Sequence, residues 1–337
     1  MTNRNKLLVL LASVLALASV AGVVGWSYQA DRKNHVGAGG PGGGAGTVSL
    51  ASGGPPRIVF RSLKYGPHRD ELSSAPADAP DGPRTYSGVK CIRFYAAAGT
   101  GICLQSEMGV YAETYTALVL DSDLHVTRRV PLAGIPNRSR VSPSGHMAAW
   151  TVFVGGDSYA QKTFSTRTSI LDTRTGALQP SLEEYAVTKD GKPFHRADAN
   201  FWGVTFIDDE HFYATLGTGG QTYLIHGDVS TKTATTVRNN VECPSLSPDG
   251  TKIAFKKRVP GLPTNLPWRL YVLDLETMKE HPVAETRSVD DQAVWSDDHN
   301  LVYSLPDFSA DLYTVPADGS SASRALAHEA LAPAWIG

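Results

Sequence analysis

Pro244-Ser245-Leu246-Ser247-Pro248-Asp249-Gly250-Thr251-Lys252-Ile253-Ala254-Phe255 decides the fold. Two apolar runs flank a Ser-Pro-Asp-Gly turn. Proline fixes φ there, the aspartate side chain caps the turn, and glycine takes the positive φ. The stretch reads as a β-hairpin, and it recurs. Arg140-Val141-Ser142-Pro143-Ser144-Gly145-His146-Met147-Ala148-Ala149-Trp150 is a good copy. Residues 204–213 and 293–303 are degenerate copies, and residues 93–104 keep the shape without the letters. A second hairpin follows each copy, most clearly at Arg269-Leu270-Tyr271-Val272-Leu273-Asp274-Leu275-Glu276-Thr277, and again over 118–123, 169–176, 223–228 and 312–319. Two successive hairpins make a four-stranded antiparallel blade, the unit of a propeller.

The turns align near Ala96, Ser142, Phe206, Ser247 and Ser296. Most steps fall at the roughly 40–50 residues of a propeller blade. The step out of the second blade is longer, which assigns an insertion to residues 184–199. That makes five blades, and the chain ends supply a sixth. Ala332-Pro333-Ala334-Trp335-Ile336-Gly337 matches the strand before the turn, and Arg57-Ile58-Val59-Phe60-Arg61-Ser62 matches the strand after it. Leu72-Ser73-Ser74-Ala75-Pro76-Ala77-Asp78 echoes Leu312-Tyr313-Thr314-Val315-Pro316-Ala317-Asp318. One blade is thus completed by strands from both termini, and pairing them protects strand edges. Five or seven blades are the alternative counts, because two of the turns are degenerate.

On these residues the chain resembles the TolB-like propellers, which are similar to WD-repeat proteins. In that family the Ser-Pro-Asp-Gly turn joins the two inner strands of a blade. The resemblance covers residues 57–337. It implies an all-β, six-bladed propeller with a binding or scaffolding role at the cell envelope. The chain departs from TolB in carrying a tether and a glycine-rich linker and in lacking TolB's N-terminal α/β domain, so the resemblance describes the fold more than a pathway.

The N-terminus directs export. Arg4 and Lys6 precede an apolar stretch over residues 7–24, followed by Trp26 and Tyr28. About 18 residues of helix reach ~27 Å, close to a bilayer's hydrocarbon thickness. The basic flank stays in the cytoplasm and the remainder faces outward. We read residues 1–30 as a cytoplasmic stub and single-pass transmembrane helix. Cleavage after Ser19-Val20-Ala21, giving a secreted protein, is the alternative. Residues 31–56 read as a flexible linker, since half the positions over 37–54 are glycine. The Gly37-Ala38-Gly39-Gly40-Pro41-Gly42 run lacks the strand–turn–helix context of a dinucleotide site. The propeller takes residues 57–337.

The 31 basic and 33 acidic residues give a net charge of -2, without the basic excess of a nucleic-acid binder. No G-x-S-x-G elbow, H-E-x-x-H or P-loop occurs. The acidic pairs Asp208-Asp209, Asp290-Asp291 and Asp297-Asp298 do not follow a calcium-loop pattern, and no metal or cofactor is expected. Asn137-Arg138-Ser139 is a formal glycosylation sequon. Cys91 and Cys103 fall on the first hairpin of the first blade, a disulfide pair or buried thiols. Cys243 lies across the ring from them. Trp202 and Trp268 read as packing residues.

Loops at the mouth where inner strands begin commonly hold ligands. The residues just before those strands include Lys90, Arg140, Asn200, Glu242, Asp290, Asp291 and Gln292, a mixed polar rim or ordinary solvated turns. The insertion over 184–199 is expected beside this mouth. The expectation is a monomeric, non-enzymatic envelope protein that binds an unknown protein or peptide partner. The alternatives are a glycan- or peptide-active hydrolase or lyase at the channel and an extracellular ligand sensor.

Overall fold

The computed structural model describes residues 47–109, 112–155, 164–305 and 310–337. The helix expected over residues 1–30 and the linker up to residue 46 lie outside the described residues. No helix among those described is long and apolar enough to cross a membrane.

The described residues form six antiparallel blades, one sheet each. The first runs Arg93–Ala97, Thr100–Met108, Glu113–Leu120 and Val126–Leu132 from inner to outer strand. The second runs Ile135–Val141, Met147–Gly155, Ser165–Asp172 and Leu178–Gln179. The third begins with Asn200–Phe206, His211–Thr218, Gln221–Asp228 and Thr233–Asn239. The fourth is Glu242–Leu246, Lys252–Arg258, Trp268–Asp274 and Glu280–Pro282, and the fifth Val294–Trp295, Asn300–Leu305, Asp311–Pro316 and Arg324–Ala327. The sixth takes its inner strand, Ala330–Ile336, from one end of the chain and Arg57–Ser62, Glu71–Pro76 and Thr85–Lys90 from the other. Arg57 stands opposite Ile336, and Ser62 opposite Ala330. The six-blade count holds, and the split blade closes it.

Period-two alternation builds the ring. Successive side chains of a strand point to opposite faces of the sheet, and each face of a blade packs on a different neighbour. Ile253 and Phe255 of the fourth blade join Leu224 of the third. Ala254, between them in sequence, joins Trp295, Leu301 and Tyr303 of the fifth. At the closing seams, Phe60 packs with Val302 and Leu312 of the fifth blade, while Val59 packs with Phe94 and Leu118 of the first.

The turns behave as their sequence requires. Gly250 has φ +72°, its N–H donates to Ser247 O at 2.9 Å, and Asp249 accepts from the Ser247 hydroxyl at 2.5 Å and the Thr251 N–H at 3.0 Å. In the degenerate turns the acidic pairs divide the work. Asp208 and Asp297 cap their own turns, accepting the N–H groups of Glu210 and His211 and of His299 and Asn300. The following aspartates reach back to the preceding blade. Asp209 accepts from Ser142 at 2.9 Å, and Asp298 from the Asp249 N–H at 2.9 Å.

Three expectations meet added detail. Residues 47–50, linker by composition, are packed: Val48 and Leu50 are buried with Phe94 and Leu120, and the Leu50 N–H donates to Ser122 O at 2.7 Å. The insertion forms a hairpin, Ala186–Lys189 and Lys192–Pro193, that extends the outer edge of the third blade, parallel to Thr233–Asn239. It therefore lies away from the channel mouth, because an unpaired outer strand offers it a hydrogen-bonding edge. Only the return segment comes near, with Asp198 accepting from Thr218 and Gly219. Cys91 and Cys103 are joined by a disulfide with Cα atoms 5.4 Å apart, and Cys243 is a buried thiol. Trp202 and Trp268 are both buried and pack with Phe153 and Cys243.

Candidate functional site

The six inner strands contact one another in sequence around the ring, so their inward side chains share one channel. Arg138 and Arg140, two apart on one strand, fall on the same face. Both are nearly fully buried. Arg138 Nη2 lies 3.2 Å from Asp290 O and 3.5 Å from its Oδ1. Arg140 donates to Ala293 O at 2.7 Å, and its guanidinium sits 4.4 Å from the centre of the Tyr95 ring. Lys256, from the second strand of the fourth blade, has no exposed side-chain surface. Its ammonium bonds Asp290 Oδ1, lies 3.6 Å from Glu242 Oε2, and stacks 4.1 Å from the Trp268 ring centre. Glu242 Oε1 accepts from Arg258 at 2.7 Å. Asp291 accepts the Ser304 N–H at 3.0 Å and lies 3.9 Å from Arg93. Gln292 donates to Val204 O at 3.0 Å and Pro244 O at 2.7 Å.

Burial alone would discharge such groups; their neighbours decide the outcome. Desolvation works against the Lys256 ammonium, but Asp290 and Glu242 outweigh it and hold its pKa above the ordinary lysine range. Desolvation likewise opposes Asp290, and the charges of Lys256 and Arg138 keep it below the usual carboxylate range. Burial pulls Arg93 and Arg140 below the ordinary guanidinium range, and arginine remains charged regardless.

Five of the rim residues named from sequence meet here: Arg140, Glu242, Asp290, Asp291 and Gln292. The other two do not. Asn200 ties the second blade to the third, accepting the Thr166 N–H at 2.8 Å. Lys90 ends the outer strand of the closing blade, opposite Glu71, and its carbonyl accepts Gln105 Nε2 at 2.6 Å. Sequence reasoning missed Arg93, Arg138 and Lys256. The signal for Arg138 was its two-residue spacing from Arg140 on an inner strand. Asn137, the sequon asparagine, lines a channel cavity and not a surface loop.

One cavity lies among the inward side chains. The space among Arg93, Asn137, Arg138, Arg140, Asp291 and Gln292 is about 20 Å³, room for one or two water molecules. The described histidines do not line this cavity. His146 Nδ1 sits 3.1 Å from Asp209, whose other oxygen takes the Ser142 and Ser144 hydroxyls, and the His146 backbone N–H donates to Ser144 Oγ at 3.1 Å, so the carboxylate and both residues are tied up in the turn. Among the described residues no group of three or more His, Cys, Asp or Glu side chains could hold a metal ion.

No family model and no curated protein matches the chain. Solved structures do. TolB from Acinetobacter baumannii is similar at 17% identity and a TM-score of 0.55, over 85% of this chain and 68% of that one. A puromycin-hydrolyzing peptidase of Mycobacterium tuberculosis is similar at 14% identity and a TM-score of 0.50, over 85% of this chain and 46% of that one. At these identities the likeness is one of fold: the chain is a six-bladed β-propeller whose fold is similar to that in TolB.

Proposed function

We propose that the chain is a non-enzymatic, envelope-associated propeller that binds a protein or peptide partner at the end where its inner strands begin. Residues 7–24 act as its anchor and the glycine-rich segment as a tether, leaving the propeller on the outer side of the cytoplasmic membrane. The carrying observation is that the channel's charged groups are spent on one another. Its carboxylates are paired with Lys256, Arg138, Arg258 and Arg93, and the cavity among them, about 20 Å³, is far below the volume of a sugar or peptide unit. Recognition then falls to the rim. Of the large apolar side chains exposed among the described residues, Tyr65, Met108, Ile135, Val154 and Leu266 lie at that end, and exposed apolar surface favours partner contact.

Photo-crosslinking probes at Tyr65, Ile135 and Leu266 of the full chain, in its native membrane, test this. Controls at Thr175 and Thr277 sit at the opposite end. A discrete protein adduct from the rim probes alone is expected. Adducts formed equally from both ends would refute a rim site. Turnover of a glycan or peptide that disappears in Asp290→Asn would refute the non-enzymatic reading in favour of a channel hydrolase or lyase.

A further inference from the structure

Among the described residues, the charges lining the channel cavity do not balance. Three guanidinium groups line it, from Arg93, Arg138 and Arg140, against one lining carboxylate, Asp291. Arg138 is held by Asp290 and Arg93 by Asp291. Among the described residues, Arg140 is met by the carbonyls of Ser139, Gln292 and Ala293 and by the Tyr95 ring; Asp291 acts on it only from beyond ion-pair distance and is shared with Arg93, which leaves the guanidinium groups in excess. A buried cation without a counter-charge is costly. Two buried acceptors of residues lining the same cavity, Asn137 Oδ1 and Gln292 Oε1, have no donor among the described residues. The Gln292 amide cannot simply turn over, since its Nε2 already serves two carbonyls.

We propose that the channel binds one small monovalent anion, of the size of chloride, against Arg140 with Arg93 and Arg138 flanking it. The anion supplies the missing counter-charge. A water molecule carried with it donates to the two orphan acceptors. Burial makes the site selective for small ions: a larger anion would have to displace the inner strands.

The test uses the full chain. Thermal unfolding is followed by tryptophan fluorescence in chloride, bromide and gluconate at constant ionic strength, together with bromide anomalous scattering from crystals. Chloride and bromide are expected to raise Tm saturably, by about 3 °C at tenfold the Kd; gluconate is expected to have no effect. Bromide is expected as an anomalous peak beside the Arg140 guanidinium. Arg140→Gln should abolish the chloride increment, while Arg174→Gln, an exposed side chain paired with Asp172, should keep it. If Arg140→Gln fails to fold, the bromide peak in the unaltered protein still decides. A Tm that follows ionic strength whatever the anion, or a channel without a bromide peak, would overturn the proposal.

Discussion

Leu50 and Gly101 offer the sharpest test of how the chain begins its fold. Leu50 is fully buried in the seam between the sixth and first blades. Gly101 leaves the space its side chain enters: a Cβ at Gly101 would stand 2.8 Å from Leu50 Cδ1, 3.3 Å from the Phe94 ring and 3.4 Å from Leu120 Cβ. Leu50→Ala removes a buried isobutyl group and leaves a cavity, which costs about 3 kcal/mol. Gly101→Ala overpacks the same spot and costs about 2 kcal/mol. With Leu50 already shortened, the added methyl group finds room, so the double variant should lose little more than Leu50→Ala alone. The cycle should therefore show a coupling of about 2 kcal/mol. At roughly 2 °C per kcal/mol for a domain of this size, Leu50→Ala lowers Tm by ~6 °C. Urea unfolding of the parent, both single variants and the double variant measures all four corners. A Leu50→Ala variant within ~0.5 kcal/mol of the parent, the range of ordinary surface substitutions, would refute the packed segment. So would a Gly101→Ala cost that is the same with and without Leu50.

Other consequences follow from the same packing. Lys256→Met leaves Asp290 to Arg138 and Glu242 to Arg258 alone and should cost about 3 kcal/mol in chemical denaturation; adding Asp290→Asn should recover part of that loss. Reducing the Cys91–Cys103 bond, whose partners are 12 residues apart, should lower stability by ~3 kcal/mol, read by melting with and without reductant. Stability should fall in acid. Backbone and hydroxyl donors of Thr231 and Ser230 hold Asp228 at about 2. Burial pushes Glu285 upward, but bonds from Arg287 and Tyr303 prevail and hold it at about 2. Such depressed carboxylates stabilise fully above their unfolded pKa of ~4. That stabilisation is lost as pH drops towards 2, so Tm should decline across that window, less steeply in Glu285→Gln. His211 and His328 are raised by Asp208 and Asp311. Their contribution is complete below about pH 6.5 and is lost as pH rises through the folded values, so a small fall in Tm from pH 6 to 8 should vanish in His211→Gln/His328→Gln.

Part of the channel could be read in advance. Asp290, Asp291 and Gln292 precede an inner strand, so the repeat pattern alone carried them to the mouth. Lys256 was hidden because it belongs to a second strand, in a Lys256-Lys257-Arg258 run that reads as a solvated edge. Lys90 looked equivalent to the rim residues by position, but the short passage from the outer strand Thr85–Lys90 to the inner strand Arg93–Ala97 leaves it at the outer edge of its sheet. Asp209 and Asp298 were visible as acidic pairs, though nothing local indicated that each serves the turn of the preceding blade.

The sequence by itself determined the turns, the strand alternation and the pairing of the chain ends, because each rests on chemistry within a few residues: proline and glycine dihedrals, Asx caps and period-two hydrophobicity. Only the tertiary structure decided which charges meet. Arg138 and Asp290 stand 152 positions apart in sequence, and no local rule relates them. Ring closure brings their strands to one axis, and exclusion of water there makes their pairing obligatory. The same holds for Val48 and Leu50, two apolar residues in a glycine-rich run, whose burial depends on a groove that exists only once the first and sixth blades are side by side.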